Sequence, residues 1–212
     1  MNKNLLDENI QERLRNELQA TDEELTALEK LIEIQRSKMN LPHEDPSQPS
    51  IVIDNFLYHG DLGHAIDMDL LLELKIQHII NVCDCPLDKN ICEVFDVIWI
   101  EDLEDNFQGE LNKHLDRTND LLCKYKEKNE KVLVHCQAGI SRSSSIVLAY
   151  LIKYHNDSLE QAYKYLLEKR PIAAPNYSFL IQLIRYEKEI KQNEQNSIKT
   201  IDESDLKQKS SF

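Results

Sequence analysis

The chain has 212 residues, 30% of them charged, and a formal net charge of −13, which excludes nucleic acid and anionic membrane surfaces as general partners. No apolar run approaches the roughly 18 residues of a membrane span, and no signal-peptide core opens the chain. The five cysteines are odd in number and lack framework spacing, so a soluble protein of a reducing compartment is expected, cytoplasmic or nuclear.

Residues 1–41 contain no glycine and read as a helical extension. Leu14, Leu18, Leu25, Leu28 and Ile32 follow an alternating four-and-three spacing if Thr21 fills one seam position. Thr21-Asp22-Glu23-Glu24 also has the form of a capping box, so two helices broken near Ala20 fit equally well. The stripe suits a hairpin folded on its own domain, or a helix for a partner or self-association. Too few clean heptads favour the first. Pro42, Pro46 and Pro49 mark residues 42–50 as a linker.

A domain spanning 51–190 follows. Ile51-Val52-Ile53 and Phe56-Leu57-Tyr58 predict two short strands, and 61–74 carries Leu62, Ala65, Ile66, Leu70, Leu71 and Leu74 at helical spacing. Residues 76–82 read as a buried strand ending at Cys83, 94–100 as another, and 111–125 as a helix. Strands alternating with helices predict an α/β fold whose central sheet is mostly parallel and flanked by helices.

Residues 132–143 carry the strongest local signal. Val132-Leu133-Val134 is a strand buried on both faces, Ser143-Ser144-Ser145 supplies cap-type residues, and Ile146, Val147, Ala149, Tyr150, Leu151 and Tyr154 continue as a helix. Five residues separate Cys136 from Arg142 in the loop between them. A loop of that length turns its N–H groups inward, making an anion nest at a helix N-terminus. Gly139 tolerates the dihedrals this needs. Arg142 adds a planar two-pronged donor for phosphate, and the same positive field makes Cys136 a thiolate near neutral pH. A nucleophile at the floor of a phosphate cradle is the expected chemistry.

Further on, Ser158-Leu159-Glu160-Gln161 opens a capped helix through Leu167, Pro171 and Pro175 bracket a turn, and Asn176 caps a last helix bearing Phe179, Leu180, Leu183, Ile184 and Tyr186. The polar composition of 191–212 predicts a disordered tail.

His135-Cys136-Gln137-Ala138-Gly139-Ile140-Ser141-Arg142-Ser143 fits the His-Cys-x-x-Gly-x-x-Arg-Ser signature, and the chain from about Ser50 to Ile190 resembles the dual-specificity phosphatases, a branch of the cysteine-dependent protein phosphatases. The likeness extends to Phe56-Leu57-Tyr58-His59-Gly60 and to Arg170-Pro171-Ile172-Ala173-Ala174-Pro175-Asn176. It implies hydrolysis of phosphotyrosine and phosphoserine/threonine in protein substrates through a phosphocysteine, with no metal and no cofactor. It implies that Gln137, Ala138, Gly139, Ile140 and Ser141 bind the phosphate with Arg142, that His135 shapes the loop, that Ser143 eases thiolate departure and that Asn176 braces the loop.

The resemblance places the general acid on an aspartate at the end of the 94–100 strand. Asp102 fits that place and Asp105 competes with it, in a loop longer and more acidic than is common in the family. Lipid-phosphatase relatives carry a redox-partner cysteine at a site like Asn81-Val82-Cys83, which makes Cys83 a candidate to pair with Cys136. Buried core thiol is the plainer role for it. His59 and His64 are expected at surface or packing positions.

Three other readings compete. Phosphoinositide phosphatases carry lysines in the loop, and this loop has none; an RNA 5′-phosphatase is disfavoured by the acidic charge and by the Ser141-Arg142-Ser143 form. A non-catalytic phospho-binding scaffold would lack the nucleophile. Residues 1–50 are too short for the N-terminal domain of kinase-regulating relatives, so the small, atypical members are the expected group.

Overall fold

The computed structural model describes residues 5–38, 45–156 and 158–209, so parts of the expected extension, linker and tail lie outside the described residues. Helix α1 (Glu8–Leu18) starts at Asp7, whose carboxylate accepts the Ile10 N–H, and stops at Gln19 in the left-handed region. Helix α2 (Asp22–Lys38) starts from the reciprocal Thr21–Glu24 pair: the Glu24 N–H donates to the Thr21 hydroxyl and the Thr21 N–H to the Glu24 carboxylate. The extension is two helices rather than one.

Five strands form one sheet: β1 (Ser50–Ile53), β2 (Leu57–Gly60), β3 (His78–Asn81), β4 (Asp96–Trp99) and β5 (Val132–His135). Their order is β1-β2-β5-β3-β4, parallel except for the edge pairing of β1 with β2. Val132 and Val134 enter one core with Leu57 and Ile80, whereas Leu133 enters the other with Tyr58 and Ile79. Burial on both faces explains why these strands are continuously apolar rather than alternating.

Six further helices lie within 62–169. The single helix expected over 61–74 is two, α3 (Leu62–Ile66) and α4 (Met68–Leu74), because Asp67 is extended and its carboxylate takes the Leu70 N–H as a new N-cap. The strand expected from 94 begins at Asp96, since α5 (Lys89–Val94) occupies the residues before it. Helices α6 (Asn112–Glu127), α7 (Arg142–Tyr154) and α8 (Leu159–Lys169) follow the expected segments. The Ser158 hydroxyl accepts the Gln161 N–H at the start of α8.

Helix α9 (Tyr177–Lys209) differs from expectation, running on where a disordered tail was expected from 191. No glycine or proline interrupts that stretch, and its Lys, Gln and Glu residues are good helix formers. Leu14, Leu25, Leu28 and Ile32 turn into the main core, with α2 lying against α8 and α9. Of the two roles open for the N-terminal stripe, the structure describes packing on the chain's own domain. Among the described residues no helix is long and apolar enough to cross a membrane.

The register positions the site. Gly60, His135, Asn81 and Trp99 form one row across four strands. The segments beginning at Asp61, Cys136, Val82 and Ile100 therefore all leave the sheet at its carboxyl edge, the place where open α/β sheets bind ligands.

Candidate active site

The loop from Cys136 to Arg142 has its carbonyls pulled outward. The Leu62 N–H donates to Gln137 O at 3.3 Å, and Arg170 reaches Ala138 O at 3.5 Å and Gly139 O at 2.8 Å. Ile140 O accepts the Ala174 N–H at 2.7 Å and the Ser144 hydroxyl at 2.6 Å, while Ser141 O accepts the N–H and hydroxyl of Ser145. With carbonyls outside, the amides line the inside, as an anion nest requires. Gly139 has φ +63°, and a Cβ there would lie 2.2 Å from Arg170 Nη2 and 2.5 Å from Gly60 O. Both the dihedral and the space demand glycine.

Helix α7 keeps its N-terminus free. Ser143, Ser144 and Ser145, expected as caps, lie inside the first turn; the N-cap position belongs to Ser141, which makes no capping bond. Its hydroxyl donates instead to Asp105 Oδ1 at 2.6 Å and accepts the Asn176 N–H at 3.1 Å. The first amides of α7 are thus left for an anion.

Cys136 is buried, which raises a thiol's pKa. The Ser143 hydroxyl at 3.2 Å, with the N–H groups of Ser143, Ile140 and Gly139, outweighs burial and holds the thiol below its ordinary value. Arg142 is buried too; its Nη1 donates to Asp84 at 2.7 Å, its Nε lies 3.9 Å from Asp105 Oδ2, and that Nε has no hydrogen-bond partner. Arg142 thus brings a buried guanidinium to the end of the nest, oriented by Asp84 and with Asp105 near its Nε, a planar donor suited to phosphate.

Three functional contacts escape the sequence. His59, expected at a packing or surface position, is fully buried with Nε2 2.9 Å from the Ser143 hydroxyl, extending a Cys136–Ser143–His59 chain. Arg170 is the strut behind the loop, and Asp84 is the partner of Arg142 Nη1. The sequence places His59 at the end of the second strand, but that β2 lies beside β5, with His59 opposite Val134, is seen only in the structure.

Burial pushes His135 down to about 4, against an opposing bond to the Cys136 backbone, and holds His59 well below the usual imidazole range with help from the Arg170 charge. Both are neutral when folded, so below about pH 6.5 the unfolded chain binds more protons. Stability should therefore be full above pH 6.5 and fall towards pH 4, by roughly 3 kcal/mol from His135. Thermal melts across pH 7 to 5 test this, and a melting temperature that holds or rises on acidification would contradict it.

The loop after β4 brings one of its aspartates to the nest. Asp105 Oδ1 accepts from Ser141 and, at 2.8 Å, from Asn176 Nδ2, so Asn176 braces the nest while its own Oδ1 caps α9 through the Phe179 N–H. Asp102 is more open, its side chain 69% exposed and 3.6 Å from His114 Nε2. Cys83 lies beneath the loop with Sγ 3.7 Å from His135 Nδ1. Burial, with the nearby Cys136, raises its thiol to about 12, so at neutral pH it is no thiolate.

The family model described as dual specificity phosphatase, catalytic domain, matches residues 57–189. Mouse dual specificity protein phosphatase 1 is 35% identical over 155 residues, covering 73% of this chain and 41% of that protein. Human dual specificity protein phosphatase 5 is 36% identical over 135 residues, covering 64% and 35%. The chain thus spans less than half the length of these relatives. The crystal structure of human tyrosine phosphatase-like serine/threonine/tyrosine-interacting protein is similar with a TM-score of 0.62 and 25% identity, over 66% of this chain and 96% of that one.

Proposed function

The chain belongs to the dual specificity phosphatase family, and we propose that it hydrolyses phosphotyrosine and phosphoserine/threonine in protein substrates through a phosphocysteine. One observation carries this reading: a sulfur with a lowered pKa lies on the floor of an amide nest that ends in a buried guanidinium. The Cys136 thiolate attacks phosphorus, the S–P bond forms as the P–O bond breaks, and Asp102 gives its proton to the leaving oxygen. Water, deprotonated by the Asp102 carboxylate, then releases phosphate, and the departing thiolate recovers the Ser143 hydrogen bond. The inward amides and Arg142 hold the equatorial oxygens through both steps. The neutral imidazole of His135 is a brace, since a buried group already below the working pH cannot gain from taking the proton.

Asp102 takes the acid role because Asp105 is held as a clasp by Ser141 and Asn176, whereas Asp102 is exposed and free to meet a leaving group. The carboxylates of Asp84, Glu101, Asp102 and Glu104 are all exposed near this edge, which disfavours strongly acidic substrate peptides.

Purified protein assayed on phosphotyrosine and phosphothreonine peptides and on phenyl phosphate tests the reading. Wild type should turn over both peptides. Asp102→Asn should lower kcat/KM on phenyl phosphate roughly 10²-fold and flatten the acid-to-neutral pH profile, with a smaller loss for Asp105→Asn. The reverse ranking would move the acid to Asp105, and an inactive wild type under reducing conditions would contradict the enzyme reading.

A further inference from the structure

The loop between β4 and α6 carries both acid candidates, and three elements hold it. On the nest side Asp105 is tied as described. Beneath, Gln182 donates to Gly109 O at 2.8 Å and Ser178 to Phe107 O at 3.1 Å, both from α9. The third element is α1, which lies outside the matched family segment.

The Arg13 guanidinium carbon sits 3.8 Å from the Phe107 ring centroid, and the Gln108 side chain donates to Glu17 Oε2 at 3.2 Å. Arg13 and Glu17 are themselves paired at 2.5 Å, one turn apart. Helix α1 is a fixed support for these contacts: Leu14 is fully buried, and Arg185 of α9 donates to Leu18 O at 2.8 Å while pairing with Glu24. Beside the contacts an open groove of about 590 Å³, lined by Glu17, Phe107, Gln108, Gln182 and Arg185 among others, separates α1 from the loop. The Arg13–Phe107 and Glu17–Gln108 contacts join the loop to α1 beside this groove, next to the apolar cluster that Leu14 and Leu103 share.

We propose that Arg13 and Glu17 are positioning residues, through which the N-terminal helix sets how often the acid-bearing loop stands ready to protonate the leaving group. The proposal rests on the phosphatase reading above. An exposed cation–π contact supports roughly a two- to fivefold bias between loop positions, and small misplacements of a catalytic group act directly on rate.

The test compares full-length wild type, Arg13→Ala and Arg13→Lys on two esters: nitrophenyl phosphate, whose leaving group needs little protonation, and phenyl phosphate, whose leaving group needs it. Arg13→Ala should lower kcat/KM about fivefold on phenyl phosphate and less than twofold on nitrophenyl phosphate. Inhibition by inorganic phosphate should be unchanged, and Arg13→Lys should restore the ratio. Amide hydrogen exchange of residues 100–111 gives a readout that needs no turnover: faster in Arg13→Ala, near wild type in Arg13→Lys. An active wild type whose Arg13→Ala variant keeps both the ester ratio and the exchange rate overturns the positioning role. So does an equal loss on both esters with a lowered melting temperature. A wild type that cleaves neither ester overturns the phosphatase reading instead.

Discussion

Cys136→Ser should lower hydrolysis of an aryl phosphate by roughly 10⁴-fold or more while leaving the melting temperature nearly unchanged. The expected size follows from what the substitution removes. Serine is close in volume, so β5, the nest and the first turn of α7 stay in place, and the Ser143 hydroxyl keeps an acceptor. What is lost is ionisation. The hydrogen bonds from Ser143, Ile140 and Gly139 overcome burial for a thiol, whose ordinary pKa is within reach of neutrality. The same donors cannot bring a hydroxyl there. Phosphate should still bind, so the loss should fall on kcat rather than on inhibition by inorganic phosphate. A variant that retains a few per cent of wild-type turnover would place the nucleophile elsewhere.

Arg142→Lys should cost on the order of 10³-fold in kcat/KM, although it keeps the charge. One prong of the guanidinium is held by Asp84 at 2.7 Å and its Nε lies 3.9 Å from Asp105, so the planar group is fixed in orientation with several N–H donors to give two phosphate oxygens. A lysine ammonium is a point donor. It can satisfy Asp84 or an equatorial oxygen in that geometry, but it cannot pin two oxygens while the outer carboxylate fixes its orientation. Measuring kcat/KM and phosphate inhibition together separates the effects, because both should fall. A change under tenfold would mean that the nest amides carry the transition state without the guanidinium.

Where chemistry is local, the sequence was readable. Strand, loop and helix from Val132 to Tyr154 form one continuous segment whose spacing contains its own geometry, and the Thr21–Glu24 and Ser158–Gln161 caps are bonds across three residues. What escaped depends on partners far along the chain. His59 reaches Ser143 across 84 positions, Arg170 reaches Gly139 across 31, and Asp84 reaches Arg142 across 58. None of these pairings has a periodicity to reveal it. The Asp67 break and the uncapped start of α7 were missed for a different reason: both depend on which acceptor a short polar side chain chooses. Ser141 chooses Asp105, a choice that frees the helix amides and appears in no local pattern. Position after the strand end already favours Asp102 over Asp105; what no local pattern shows is that Ser141 and Asn176 hold Asp105.

The measurement closest to the central claim is rapid acid quenching of the enzyme during turnover of an aryl phosphate, followed by peptide mapping. One phosphoryl group on the peptide carrying Cys136, formed at the rate of the first burst of phenol and missing in Cys136→Ser, is the expected result. Turnover with no phosphoryl group on that sulfur, or with the group on another residue, would contradict it.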